Sequence, residues 1–89
     1  MGMLFMDLLE RLEYWAKILP NKEAIKMGKE SVTYSELKCK VTGYSFQIAK
    51  AINDSERPII IYMERGVDFV VTMLAILNLG MSYIPIEKK

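Results

Sequence analysis

The run from Pro58 to Glu87 constrains the fold of this 89-residue chain more than any other segment. It contains a strand-like apolar stretch at 59–63, a Glu-Arg-Gly turn, an apolar block of helical length at 67–79, and a second strand signal at 83–86. The connection between the two strand signals is long enough for a helical crossover. The run therefore predicts a parallel β-α-β unit, and a right-handed crossover is expected.

The helical block of this run has almost no polar face, since nearly every residue in 69–77 is apolar. A helix of this kind must be covered on more than one side. A chain of 89 residues has little else to cover it with, although 52% of its residues are hydrophobic. We therefore expect an exposed apolar patch on this helix and, from it, a homo-oligomer, most simply a two-fold dimer.

Single residues predict further details of the β-α-β unit. The continuous apolar run at 59–63 is typical of a central strand that is buried on both faces. Gly66 is an acceptable N-cap for the helix, and Asp68 in the first turn complements the positive end of the helix dipole. Gly80 is placed to end the helix in a left-handed conformation. Pro85 cannot donate to a β-ladder, so we expect it at a strand end or on an edge strand.

The first half of the chain predicts three more elements. An amphipathic helix is expected from about Phe5 to Leu19, where Pro20 ends it. Strand signals at 24–27 and 31–33 predict a small hairpin. Thr33-Tyr34-Ser35-Glu36 is a capping box that begins a helix running to about Ile52, before a polar break at 53–56. The apolar stripe of the first helix consists of Phe5, Leu8, Leu12, Trp15 and Leu19, and that of the second of Leu37, Val41, Tyr44, Ile48 and Ala51 or Ile52. The fold class is α/β, in one domain over residues 1–89.

Composition excludes several classes of function. The net charge of +1 gives no field that favours nucleic acid or an anionic membrane, so neither is an expected partner. The chain has no histidine, which excludes Ser-His-Asp and Cys-His catalysis and the usual His-based zinc sites within it. Cys39 is the one cysteine, and a structural or incidental role is expected for it. No apolar run spans a membrane and no basic leader is present, so we expect a cytoplasmic protein without a signal peptide.

The sequence contains no glycine-rich phosphate loop and no cluster of metal ligands. One charged group, Glu64, Arg65 and Asp68, follows the first strand of the β-α-β unit at its C-terminal end. Ligands bind at that edge of open α/β sheets, but a capped and solvated turn is the favoured interpretation. We therefore assign no catalytic, cofactor-binding or metal-binding residue to this chain.

Two segments match core motifs of a known family. Thr33-Tyr34-Ser35-Glu36-Leu37 matches Thr/Ser-Tyr-x-Glu-Leu, and residues 74–87 are similar to Leu-Lys-Ala-Gly-x-Ala-Tyr-x-Pro-x-Asp. On these motifs the chain resembles the adenylate-forming ligases, or AMP-binding enzymes, above all nonribosomal peptide synthetase adenylation domains and D-alanine–carrier-protein ligases. The likeness covers nearly the whole chain, including 20–25 and 60–69. The departures from the second motif are Asn78-Leu79 for Lys-Ala, Ser82 for Ala, and Glu87 for Asp.

The resemblance implies an N-terminal segment of an adenylation domain. Enzymes of this family activate a carboxylate with Mg-ATP to an acyl-adenylate and pass the acyl group to a thiol, often that of a carrier protein. Their phosphate loop, acyl pocket and catalytic lysine lie downstream of the matched region, so the resemblance carries no catalytic residue over to this sequence. It implies a scaffold segment that is inactive alone, with either a second copy or the remainder of the enzyme as partner. The alternative is a non-catalytic α/β interaction or oligomerisation module derived from the same scaffold.

Overall fold

The structure is a computed structural model that describes residues 2–52 and 56–87 and the side chains of 10–52 and 56–86. Its element order agrees with the α/β order predicted from the sequence. The polar break predicted at 53–56 lies, except for Glu56, outside the described residues. The elements are α1 (Gly2–Ile18), β1 (Glu23–Met27), β2 (Glu30–Thr33), α2 (Tyr34–Ala51), β3 (Ile59–Met63), α3 (Val67–Asn78) and β4 (Tyr83–Glu87).

The hairpin and the start of α2 form from local signals. Strands β1 and β2 pair antiparallel, and Gly28 in the connecting turn has a φ of 61°, which favours glycine. The Thr33 hydroxyl accepts from the Glu36 backbone N–H at 3.1 Å, while Glu36 Oε1 accepts from the Thr33 N–H at 2.8 Å. The predicted hairpin and capping box are both confirmed.

Helix α1 packs only in part through its predicted stripe. Of that stripe, Phe5 and Leu8 lie outside the described side chains. Leu12 is half-buried and packs against the core. Trp15 is 39% exposed, although its ring lies 6.3 Å from that of Tyr34. The aromatic end of α1 therefore remains near the surface.

Strands β3 and β4 form the predicted parallel pair, and Pro85 lies opposite Ile61. Among the described residues this sheet has two strands, so Pro85 is on an edge strand, as expected. The prediction that β3 is buried on both faces is wrong for this chain. Ile61 is 3% exposed, whereas its neighbours Ile60 and Tyr62 are 61% and 62% exposed. The reason is that α3 covers one face of the strand pair and no described element covers the other.

Helix α3 is the centre of the core. Its residues Val71, Ala75 and Ile76 are 0% exposed. Helix α2 packs along α3, and the hairpin, β3, β4 and α1 also contact it. The prediction that α3 presents an exposed apolar patch is therefore wrong, because several elements of its own chain surround it. The main core cluster consists of Val32, Leu37, Val41, Val67 and Val71.

A buried polar contact joins the second half of α2 to the C-terminal end of α3. Ser45, only 6% exposed, donates through its hydroxyl to the Ala75 carbonyl oxygen at 3.4 Å. The Asn78 amide nitrogen donates to the same hydroxyl at 2.9 Å. The Ser45 hydroxyl is thus satisfied as donor and acceptor, which offsets the cost of burying it. Among the described helices, none is long and apolar enough to cross a membrane.

Candidate functional site

The turn between β3 and α3 is the candidate site, because it gathers charged side chains at the C-terminal end of a strand. An open and mostly polar cleft lies there. It combines the predicted group Glu64, Arg65 and Asp68 with a hairpin residue, Glu30, which the sequence analysis did not single out. The lining residues are Glu30, Tyr62, Met63, Glu64, Arg65, Gly66 and Asp68.

Glu30 caps the N-terminus of α3 across the fold. The residue at the N-cap position, Gly66, has no side chain to accept from the first helical N–H groups. Glu30 Oε1 instead accepts from the Val67 backbone N–H at 3.3 Å. A Cβ added at Gly66 would lie 3.0 Å from that oxygen, so glycine leaves the room that the carboxylate needs. The positive end of the α3 dipole therefore faces a carboxylate of the same chain.

Asp68 is held by a second contact across the fold. The Tyr44 hydroxyl of α2 donates to Asp68 Oδ1 at 3.0 Å. This hydrogen bond to the carboxylate raises the pKa of Tyr44 above its ordinary value of 10.0. Partial burial and the negative charge of Asp68 raise it further, by smaller amounts. The contact joins α2 to the first turn of α3, so Asp68 acts as a structural residue of the turn.

This geometry does not favour an anion site. Helix N-termini attract phosphate because their N–H groups are free and the dipole is positive, but Glu30 already accepts from Val67 here. Three carboxylates, those of Glu30, Glu64 and Asp68, line this cleft together with one guanidinium, that of Arg65. Among the described residues, no group of three His, Cys, Asp or Glu side chains could hold a metal ion. The favoured interpretation of this turn as a capped structural element agrees with the geometry.

The two motif segments also have structural roles. The first is the capping box of α2 described above. In the second, Gly80 adopts a φ of 74°, as predicted, and donates through its N–H to the Leu77 carbonyl oxygen at 2.9 Å. The Met81 N–H donates to the Ile76 carbonyl oxygen at 3.2 Å, which completes the end of α3 before β4 begins. Both segments therefore stabilise helix ends. The single cysteine, Cys39, lies exposed on α2 and belongs to neither segment.

Comparison with known proteins agrees with the motifs. The D-alanine–D-alanyl carrier protein ligase of Bacillus cytotoxicus is 29% identical over 82 residues, covering 92% of this chain and 16% of the ligase. The nonribosomal peptide synthetase agiA of Aspergillus flavus is 36% identical over 78 residues, covering 82% of this chain and 1% of the synthetase. The chain thus spans about a sixth of the length of the ligase and a far smaller part of the synthetase.

Solved structures share the fold. The N-terminal subdomain of NpsA from Klebsiella oxytoca matches with a TM-score of 0.74 at 18% identity, over 85% of this chain and 20% of that one. The fatty acid AMP ligase from Legionella pneumophila matches with a TM-score of 0.76 at 19% identity, over 90% of this chain and 15% of that one. The model of the family described as AMP-binding enzyme matches residues 12–89. The chain therefore belongs to the AMP-binding enzyme family.

Proposed function

We propose that this chain is the N-terminal scaffold segment of a ligase that activates an amino acid or another carboxylic acid with ATP. The whole enzyme forms an acyl-adenylate, releases pyrophosphate and passes the acyl group to a carrier-protein thiol, with ATP and Mg²⁺ as cofactors. The observation that carries the proposal is the family match over residues 12–89. The names of two relatives, a carrier protein ligase and a nonribosomal peptide synthetase, support the carrier protein as the acceptor.

The segment by itself is inactive under this proposal and binds no cofactor. Two observations support this. The sequence contains no phosphate loop. The helix N-terminus that comes nearest to an anion site already holds the Glu30 carboxylate. We expect the protein in the cytoplasm, where ATP is available.

ATP–pyrophosphate exchange tests the proposal in two proteins. The first is the purified 89-residue chain, which we expect to give no amino-acid-dependent exchange. The second is a chimera of the Bacillus cytotoxicus ligase in which this chain replaces the matching segment, and we expect it to keep D-alanine-dependent exchange. The parent ligase is the positive control. Exchange by the isolated chain would contradict its inactivity, and a folded chimera without exchange would contradict its role as a scaffold.

A non-catalytic interaction or oligomerisation module is the second candidate function. The exposed apolar side chains of β3 and β4 favour it, since large apolar patches mark interaction surfaces. A homo-oligomer and the remainder of the enzyme are the two partners to compare. A stable oligomer of the isolated chain in sedimentation equilibrium, together with an inactive chimera, would favour this module over the ligase segment.

A further inference from the structure

Helix α2 has an exposed side that faces away from the core. The buried residues of α2 lie on the opposite side, where the helix packs along α3. Four exposed residues at positions 39, 43, 46 and 50 are spaced by four, three and four, so they form one line along the helix. The line is about 17 Å long, or three helical turns. We call its residues the outer face of α2, and they are Cys39, Gly43, Phe46 and Lys50.

Phe46 projects from the middle of this face. It is 66% exposed, the largest exposed fraction of any large hydrophobic side chain in the described part of the chain. The Lys50 Nζ atom lies 5.3 Å from the centroid of the ring, a cation–π contact that holds the ring in one position. The outer face therefore presents an aromatic side chain that is already ordered, which lowers the entropy cost of packing a partner against it.

Gly43 leaves a hollow beside the ring, one helical turn before Phe46. Glycine destabilises the interior of a helix relative to alanine, so its presence there calls for a reason. Among the described glycines, positive φ angles occur at Gly28 and Gly80 and not at Gly43. A Cβ added at Gly43 would meet no described atom within 4 Å. Neither the backbone nor the packing of this chain therefore requires glycine, whereas close approach of a second backbone from outside would require it.

The charge around the hollow is positive. Lys38 and Lys40 are exposed on either side of the outer face, and Lys50 lies on it. The one carboxylate on α2 is that of Glu36, which is engaged in the capping box at the start of the helix. Three lysines around an exposed aromatic ring are complementary to a partner that carries an apolar stripe between acidic side chains.

We propose that the outer face of α2 is a docking site for an acidic amphipathic helix of another protein. The backbone of that helix approaches α2 at Gly43, and its apolar side chains pack around the Phe46 ring. Its Asp or Glu side chains pair with the three lysines. The inference goes beyond the proposed function and does not depend on it, because neither the site nor its test involves adenylation.

Two other occupants are less suitable for this surface. A second copy of the chain would bring the same three lysines to the interface, where like charges repel. Helices that lie on an anionic membrane bury a broad apolar face, whereas Phe46 is the one large apolar side chain of the outer face. A flexible lipid surface also has no use for the hollow at Gly43, which suits a rigid helix.

Selection from a peptide library tests the chemistry of the partner. The peptides have about 14 residues and a side-chain staple, because unconstrained helices of this length are marginal in water. Each has Leu at i, i+3 and i+7, and the flanking positions are randomised among Glu, Gln and Lys. We expect the immobilised 89-residue chain to select peptides rich in Glu. Selection of Lys-rich or Gln-rich peptides, or of none, would overturn the inference.

Fluorescence anisotropy of the selected peptide then maps the site. Phe46→Ala should weaken binding about 10-fold or more, as loss of a central aromatic contact does. Tyr14→Ala is the matched control, since Tyr14 is a 55% exposed aromatic residue on α1, and it should leave the affinity unchanged. Raising NaCl from about 0.02 M to about 0.5 M should also weaken binding, because salt screens the lysines. Equal affinities for Phe46→Ala and Tyr14→Ala would overturn the proposed location.

Gly43→Ala separates a docking role from a structural one. The new methyl group should stabilise α2 in the isolated chain and yet weaken peptide binding about 10-fold, because it fills the hollow. A variant that is more stable and binds as well as the wild type would contradict close approach at Gly43. Two further results would overturn the inference by assigning the face to another occupant. One is a dimer in sedimentation equilibrium at about 100 µM that Phe46→Ala dissociates. The other is binding to vesicles of phosphatidylcholine and phosphatidylglycerol that Phe46→Ala abolishes.

Discussion

Truncating Ile76 tests whether α3 is buried by its own chain. The side chain of Ile76 is 0% exposed, at a point where α3 lies between α2 and β3. Replacing a buried Ile with Ala costs about 2–5 kcal/mol, from lost transfer free energy and the cavity left behind. A domain of this length has a free energy of unfolding of about 4–13 kcal/mol, so Ile76→Ala could unfold it outright.

Ile76→Val is therefore the more informative variant, with an expected cost of about 0.5–1.5 kcal/mol. Ile60→Val removes the same methyl group from a side chain that is 61% exposed, and its cost should lie within about 0.5 kcal/mol of zero. Leu74 is half-buried against the core, so Leu74→Ala should cost about 2 kcal/mol, near the lower end of the range for Ala substitutions.

Urea unfolding followed by far-ultraviolet circular dichroism measures these costs. The experiment is run at about 5 µM and about 200 µM protein, because stability that depends on a partner copy changes with concentration. We expect the same midpoint at both concentrations and a clear separation between Ile76→Val and Ile60→Val. Equal losses of unfolding free energy for Ile76→Val and Ile60→Val would refute internal burial of α3. A urea midpoint of the wild-type protein that rises with protein concentration would also refute it.

Four further predictions concern a helix cap, a hydrogen bond and two glycines. Glu30→Ala leaves the first N–H of α3 without its carboxylate and should cost about 1 kcal/mol, seen as a lower Tm in a thermal melt; Glu30→Gln keeps an acceptor and should cost less. Asp68 raises the pKa of Tyr44, so the native state holds that proton more tightly than the unfolded state does. This contribution to stability is complete below pH 10.0 and is lost as the pH rises through the raised pKa, and Tyr44→Phe should remove that part of the alkaline pH dependence. Gly80→Ala should lower the free energy of unfolding by about 1 kcal/mol, because Gly80 has a φ of 74°. Gly43→Ala should raise it by about 0.5–1 kcal/mol in urea unfolding, because Gly43 lies in α2 and no described atom lies within 4 Å of the new Cβ.

The sequence predicted the features that depend on neighbouring residues. The capping box joins residues three apart, and the left-handed conformation at Gly80 is set within a single turn. The parallel β3–β4 pair also followed from local signals, because strand, helix and strand lie in one continuous run. In each case the residues that fix the geometry lie within the same short segment of sequence that predicts it.

The contacts that shape the candidate site could not be predicted in the same way. Glu30 and Val67 are 37 residues apart, and Tyr44 and Asp68 are 24 apart. Glu30 reads locally as a turn residue of the hairpin, and its role depends on where the hairpin packs against α3. Because Gly66 has no capping side chain, its presence at a helix start was the one signal that a cap must come from elsewhere.

The apolar run at 67–78 is covered by other elements, whereas the run at 59–63 is exposed on one face, and the reason is geometric. A helix can be covered from several directions by short elements, and α2, the hairpin and the strands suffice for α3. A strand pair has two separate faces, and each requires a layer of its own. Among the described elements α3 covers one of them, so the exposed apolar side chains of the strand pair are those of Ile60, Tyr62, Ile84 and Ile86. Hydrophobicity along the chain predicted an exposed apolar surface, and in the structure that surface lies on the sheet rather than on the helix.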